Sequence, residues 1–395
     1  MGTDTRTGTP ATGRGGADGG GRGGQGDQGD SGGGGGRGGP GGLGGSGGSG
    51  DLGGSGGGRG GEDGGVGGGR GGRLRGRLRG WGVDARGRSA WRRGRVPAGV
   101  GVVVAWTLAF PGAVPNGVGR LGSLVETFLP WLGLAAPVLL AVGLVRRSAT
   151  ALLALVLVSG VWLGRFGGAT VAGEAPGHDL TAVQHNVSDE NPDPDGTARA
   201  LMAAGPHLIA LQELTPAALP AYRSALAARY PHHAVHGTMG LWSAYPLRDV
   251  RPLDIRPPGF GADWNRGLRA TAVTPHGEAA VYVAHLPSVR LGPTAGFGSA
   301  ARDASAALLG EAIAAEGAGT VIVLGDLNGT VDDRGLTPVT SRLRPAPPAF
   351  ALSWPAALPL ARIDHVLTRS ATVVGIRTLP ATGSDHLPVA ARIRW

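Results

Sequence analysis

The chain has 395 residues, and 42 of its 78 glycines lie in the first 80 positions. It has no Cys and its 37 basic residues are all Arg, which excludes disulfides, thiolate nucleophiles, Cys-ligated metal, Schiff-base lysines and a Walker-type phosphate lysine, and leaves oxygen or imidazole to hold any metal. The net charge of +9 divides into 15 Arg against 8 acids over residues 1–95, 4 against 1 over 96–170, and 18 against 19 over 171–395, so the basic excess does not describe a nucleic-acid-binding domain.

From Met1 to Gly72 the sequence is Gly with scattered polar residues. It is too poor in apolar side chains to offset the entropy of ordering its backbone and reads as a disordered tail. No three-residue glycine period supports collagen. Arg73 to Arg95 is denser in Arg, with Leu74, Leu78, Trp81 and Trp91 between. That composition suits an anionic membrane face, and equally a plain charged flank.

Three apolar stretches follow, Val96 to Val114, Val125 to Val145 and Ala149 to Leu163. Each approaches the ~20 residues that span a hydrocarbon core, the third only by borrowing Ser148, Arg165 and Phe166, so three transmembrane helices are expected across residues 96–166. A buried soluble helix is the alternative for one of them. The Arg-rich N-terminal flank and the tight Arg146-Arg147 connection place the tail in the cytoplasm, and three crossings put everything after Phe166 outside. Residues 167–178 read as a Gly/Ala/Pro linker.

Residues 179–395 hold enough chain for one globular domain, and all ten His lie between His178 and His386. Strands are predicted at Asp179 to Val187, His207 to Leu211, Gly240 to Ala244, Leu268 to Val273, Ala279 to His285, Thr320 to Gly325, Ile363 to Thr368 and Pro388 to Ile393. Helices are predicted at Asp195 to Ala204, Pro216 to Ala228 and Gly298 to Ala315. The alternation points to an α/β domain with its sheet buried under helices.

Polar residues repeat at the strand ends: Gln184-His185-Asn186, Gln212-Glu213, His285, Gly325-Asp326-Leu327-Asn328, Ile363-Asp364 and Ser384-Asp385-His386. Any one Asp after a strand is usually a turn former or cap. The ordered set, with GDLN before a terminal SDH, is specific, and it resembles the endonuclease/exonuclease/phosphatase (DNase-I-like) superfamily. That group includes DNase-I-like nucleases, AP endonucleases, inositol-phosphate phosphatases and neutral sphingomyelinases.

The resemblance covers roughly Asp179 to Trp395 and implies a four-layer α/β/β/α sandwich and a metal-dependent phosphohydrolase. By that resemblance Glu213, with Asn186 and Asp385, ligates Mg²⁺ or Mn²⁺, ions suited to oxygen donors. His386, oriented by Asp364, holds or activates phosphoryl group and water, with Asp326 the competing general base. Asn186 and Asn328 position phosphate and Asp326. His285 stabilises the transition state or protonates the leaving group.

Departures matter too. Ser188 stands where many members carry an acid, which puts a second metal in doubt, and Ser243-Ala244-Tyr245-Pro246 lacks an arginine that many members place in this turn. Arg266 or Arg269 could substitute, although exposed loop charge is the plainer reading for both. His185, His232, His233 and His236 read as structural or surface residues.

Three functions compete: a membrane-tethered phosphohydrolase acting outside the cytoplasm on a lipid-linked or small phosphate, an extracytoplasmic nuclease, and an inactive binding module. Filled catalytic positions disfavour the last, and the near-neutral outer domain disfavours backbone tracking on nucleic acid. Membrane helices before an outer phosphatase-like domain resemble the membrane-anchored actinobacterial branch of the superfamily associated with glycopeptide resistance. That resemblance implies action on a polyprenyl phosphate or pyrophosphate in the cell envelope.

Overall fold

In a computed structural model of the chain, residues 94–171, 177–293 and 296–395 are described. The Gly/Arg tail and nearly all of the basic run after it lie outside these residues. The first described part is helical: α1 (Arg95–Ala109), α2 (Leu121–Thr127), a 3₁₀ segment (Leu129–Leu134) running into α3 (Ala135–Arg146), and α4 (Ala149–Val171).

Helices form on all three apolar stretches, but only two reach spanning length, Leu129–Arg146 with 18 residues and Ala149–Thr170 with 22. The first stretch stops at 15 residues, before Pro111. The second is interrupted around Pro130, which opens its 3₁₀ segment. The third, shortest by sequence, is the longest helix and continues to Val171 into the segment expected to be a linker. Gly167 and Gly168 disfavour helix by ~1 kcal/mol each, yet the end is pinned by tertiary contacts. Phe166 packs with Leu129, Leu139 and Val158, and Arg165 Nη2 meets Asp332 Oδ1 at 2.7 Å.

The remainder is two mixed sheets with helices on their outer faces. In chain order come β1 (Leu180–Asn186), α5 (Pro194–Ala203), β2 (Leu208–Gln212), α6 (Leu219–Leu226), β3 (His232–His236), β4 (Met239–Ser243), β5 (Leu247–Pro252), β6 (Gly267–Thr274) and β7 (Gly277–His285). They are followed by the short pair β8 (Arg290–Gly292) and β9 (Gly296–Gly298), then α7 (Ala300–Ala314), β10 (Thr320–Asp326), α8 (Thr337–Thr340), β11 (Arg344–Pro345), β12 (Asp364–Arg369), β13 (Thr372–Thr378) and β14 (Val389–Arg394). Each of the eight predicted strands and three predicted helices is present, with ends shifted by a few residues. The strands unforeseen are β3, β5, β8, β9, β11 and β13, which sit at sheet edges or in short hairpins and lack a continuous apolar run.

Sheet one has the order β13-β14-β1-β2-β4-β3 and sheet two β11-β12-β10-β7-β6-β5. Their central strands are buried on both faces and so read as near-continuous apolar runs. Along β10, Ile322 and Leu324 face the other sheet, whereas Val321 and Val323 pack under α7 with Leu309 and Ile313. Sheet one repeats the pattern, with Leu180 and Ala182 in the inter-sheet core and Val183 packed towards Leu201 and Tyr222 of α5 and α6.

Candidate active site

The inter-sheet face changes character at one end of the sandwich. Because side chains alternate along a strand, one row of β1 reads Leu180, Ala182, Gln184, Asn186, and one row of β2 reads Leu208, Ala210, Gln212. The matching rows in sheet two are Ile322, Leu324, Asp326 on β10, Val281, Val283, His285 on β7, and Val366, Asp364 on β12. Each row is apolar in the core and polar at its tip. Register then aligns the tips: Asp326 pairs with His285 on one side and Asp364 on the other, and Asn186 pairs with Gln212, one residue before Glu213.

The structure brings together Asn186, Glu213, His285, Asp326, Asn328, Asp364 and His386. Asn186 Nδ2 donates to Glu213 Oε1 at 3.0 Å and Asp326 Oδ2 at 3.1 Å, bridging the two sheets. Asn328 acts through its backbone N–H, 2.9 Å from Asp326 Oδ1, while its side-chain amide donates to Leu286 O at 2.8 Å. His386 Nδ1 lies 2.8 Å from Asp364 Oδ2 and its Nε2 is 3.8 Å from Asp326 Oδ2.

Electrostatics separate the roles. Burial opposes charge on His386, but Asp364 and Asp326 outweigh it and raise its pKa to about 10, so the ring is protonated at neutral pH. Burial and the negative Asp364 push Asp326 upward against the pull of His386. Asp364 is held below its usual range because His386 and Ser353 overcome its burial. At His285, burial, then Arg266 and His386, drive the pKa well below the ordinary imidazole value. Arg266 Nη1 donates to His285 Nδ1 at 3.4 Å, which assigns the ring proton to Nε2. That nitrogen faces Glu213 Oε1 at 3.7 Å and Asp326 Oδ2 at 3.6 Å, and it is buried with no hydrogen-bond partner among the described residues.

Glu213 adopts φ +59° and Asn328 φ +47°, left-handed backbone that costs non-glycine residues about 1–3 kcal/mol each and is met most often at functional sites. The turn presents the Glu213 carboxylate outward, 27% exposed beside buried neighbours. This donor set fits a hard divalent cation: a reachable carboxylate beside the Asn186 amide, whose oxygen takes one bond from Ser188 N and keeps a second lone pair, with no sulfur. Asp385 is exposed, and among the described residues no hydrogen bond joins its side chain to Glu213 or Asn186. Asp326, Asp364 and His386 also lie close enough together to suggest a metal cluster. Both Asp364 oxygens are already engaged, by Gln184 Nε2 and His386 Nδ1, so Asp364 orients the His386 ring, whose Nε2 stands 3.8 Å from Asp326.

Several supporting residues have roles that the sequence alone does not assign. Gln184 grips Asp364, Ser353 Oγ accepts the Ile363 and Asp364 amides, and Ser384 Oγ links Asn186 O to the His386 amide. Two-residue spacing from Asn186 was the available pointer to Gln184; nothing local marks Ser353. Of the two candidate arginines, Arg266 belongs beside His285, whereas Arg269 is paired with Glu316 on the helix-covered face. His185 is buried with Nε2 on Thr382 Oγ1 at 2.9 Å, and β3 carries His232, His233 and His236 at a sheet edge.

The fold resembles that of several solved proteins. Sphingomyelinase C from Streptomyces griseocarneus is 21% identical, with a TM-score of 0.43 over 54% of this chain and 98% of that one. The endonuclease/exonuclease/phosphatase from Bacteroides vulgatus is 15% identical, with a TM-score of 0.45 over 55% and 99%. The protein of the same description from Beutenbergia cavernae is 19% identical, with a TM-score of 0.43 over 55% and 72%. No curated protein matches the sequence. The family described as "Endonuclease/Exonuclease/phosphatase family" matches residues 177–386, just over half of the chain and the span that supplies every polar strand tip gathered here. The chain therefore belongs to the endonuclease/exonuclease/phosphatase family, the metal-dependent hydrolases of phosphate esters.

Proposed function

We propose that the protein is a membrane-anchored phosphohydrolase acting on a lipid-linked phosphate or pyrophosphate at the outer membrane face, with Mg²⁺ or Mn²⁺ held by Glu213, Asn186 and Asp385. The observation that carries this reading is the loop over residues 346–361, which touches the polar site and the apolar helices at once. Ala356 N donates to Asp385 O and Leu387 N to Ser353 O, each at 2.7 Å. On the other side Trp131 Nε1 donates to Leu360 O at 2.7 Å, and Phe350 stacks on Trp162. The loop leaves Trp354 and Leu358 37% and 66% exposed. An apolar cavity of about 590 Å³ opens between Trp131, Trp162, Leu163, Phe350 and Leu352. A phosphate at the strand tips and a hydrocarbon tail along the helices fit this arrangement better than a polyanion, which requires several basic contacts.

The orientation reading is supported by which helix ends meet the domain. Glu126 and Arg165 bind Arg334 and Asp332, whereas Gly94 lies against Ser148 beside the Arg146-Arg147 turn. Arg95, Arg146 and Arg147 thus mark the end away from the site, as expected for a cytoplasmic end, while Arg120 and Arg165 at the other end are each ion-paired to the domain.

The residues divide the chemistry as follows. Protonated His386 holds the phosphoryl oxygens, Asp364 keeps the His386 ring oriented, and Asn186 positions the Asp326 and Glu213 carboxylates. Asp326, made more basic by its burial, accepts the proton of the attacking water. Neutral His285 donates from Nε2 to charge developing on the phosphoryl or leaving oxygen. The bound cation supplies charge neutralisation at the phosphoryl group.

The full chain in detergent, assayed with Mg²⁺ against polyprenyl pyrophosphate, phosphomonoesters and plasmid DNA, tests the substrate. Preference for the polyprenyl substrate is expected; plasmid degradation with a steep salt slope and an untouched pyrophosphate would establish the nuclease instead. For orientation, Glu278→Cys and Arg147→Cys each introduce the sole thiol at an exposed position. Impermeant reagent on whole cells should label the first and spare the second, and the reverse pattern would overturn the topology.

A further inference from the structure

We infer that Arg302 is a positioning residue for the catalytic loop, and that it registers the seating of the helical segment on the backbone of Asn328. Its side chain is fully buried, and its guanidinium makes three directed bonds. Nε donates to Asp303 Oδ1 at 2.7 Å, Nη2 to Asp333 Oδ2 at 2.7 Å, and Nη1 to the carbonyl of Asn328 at 3.1 Å. Asn328 sits at φ +47° and its N–H binds Asp326, so Arg302 fixes the far side of a strained residue whose near side holds a catalytic carboxylate. A Cβ at Gly329 would collide with Arg302 Nη1, so the approach requires glycine at that point of the GDLNG turn. Buried ion pairs contribute little net stability compared with apolar replacements. What a planar, three-way guanidinium adds here is geometry.

The two acids that orient Arg302 are in turn bonded by the helical segment. Asp303 Oδ2 accepts from Arg120 and from Ser299 Oγ, and Asp333 Oδ2 accepts from Thr127 Oγ1 at 3.3 Å. Next to Asp333, the Arg334 amide and guanidinium close on buried Glu126. A shift of residues 120–127 therefore reaches Asn328 through two carboxylates and one guanidinium. This inference rests on the family's hydrolase chemistry, not on a lipid substrate.

The test uses the full chain in detergent with Mg²⁺, bis(p-nitrophenyl) phosphate as the chromogenic probe, and hydrogen–deuterium exchange of the peptide spanning 326–330, which needs no turnover. Arg302→Met should speed exchange at 326–330 and lower kcat by about 10- to 100-fold with KM nearly unchanged, the scale of a small misplacement at a reacting centre. Arg302→Met should add nothing in an Asp326→Ala background, because Arg302 acts on that carboxylate through the Asn328 backbone. Asp333→Asn, isosteric, repeats the measurement if Arg302→Met does not fold. Arg120→Gln with Thr127→Val should move both readouts the same way by a smaller factor. Folded variants that melt lower yet keep wild-type exchange at 326–330, or that lose kcat multiplicatively with Asp326→Ala, would show Arg302 to be structural only.

Discussion

Sheet two carries two buried polar clusters, one on each face, and they are built on opposite principles. On the helix-covered face Arg269 and Tyr282, cross-strand neighbours on β6 and β7, both bind Glu316 Oε2, at 3.0 and 2.8 Å, while the Ala318 amide binds Oε1 at 3.0 Å. Burial pushes Glu316 upward, but these three donors prevail and lower its pKa to about 2. On the inter-sheet face the tips of β7, β10 and β12 hold Asp326 above its usual range and leave His285 Nε2 unpartnered among the described residues. Left-handed Glu213 and Asn328 add backbone strain there. A cluster whose donors and acceptors are matched stabilises the fold. One that is strained and incompletely matched keeps bonding capacity for a substrate.

The contrast is most exposed to test at Asp326 and His386. Asp326→Ala and His386→Ala should each lower turnover by at least ~10³-fold, and Asp326→Ala should leave the melting temperature unchanged or raised, because strained polar sites are held at the expense of stability. Equal losses of stability and rate would erase the distinction between the clusters. Glu213→Gln should lower turnover by roughly 10²-fold, as for one lost transition-state contact, and chelation should do the same to the wild type; full hydrolysis in chelator would remove the metal from the account.

Glu316→Gln should behave in the opposite way, destabilising by about 3 kcal/mol because buried Arg269 loses its buried carboxylate and keeps only the exposed Asp249 at 4.0 Å, with kcat/KM nearly unchanged. The sign with pH follows from the depressed carboxyl. The stabilisation is complete above the model-peptide value of 4.5 and is lost as pH falls toward about 2. Denaturant titrations of wild type and Glu316→Gln should therefore converge as pH falls through that window. Arg266→Ala should have a smaller effect, on the order of 10-fold in kcat, since it sets the His285 tautomer without touching reacting atoms. Arg165→Ala should be smallest, under ~1 kcal/mol, because that pair to Asp332 is 33% and 26% exposed.

Much of the site was legible because its chemistry is local. GDLN places Asp326 at a strand end and Asn328 in the turn after it, SDH places His386, and alternation along β1, β7 and β10 puts each polar tip on the row that begins apolar. What was not legible depends on contacts made across long stretches of chain. Ser353, Gln184 and Arg302 matter through partners 11, 180 and 26 residues away. The competition between Arg266 and Arg269 was open for the same reason: both lie on or beside β6 with similar composition around them, and only strand parity separates the site-facing residue from the helix-facing one.

The sequence by itself determined the α/β class, the central strands, the family motifs and the presence of apolar helices, because each is written in short-range periodicity or residue type. Tertiary structure decided where those helices end and what they touch. Gly167 and Gly168 weaken helix locally, but packing of Phe166 and the Arg165–Asp332 pair extend α4 to Val171. It also decided the charge states at the site. An isolated His or Asp titrates at its ordinary value; Asp364 and Asp326, against burial, hold His386 protonated, while burial, reinforced by Arg266, keeps His285 neutral.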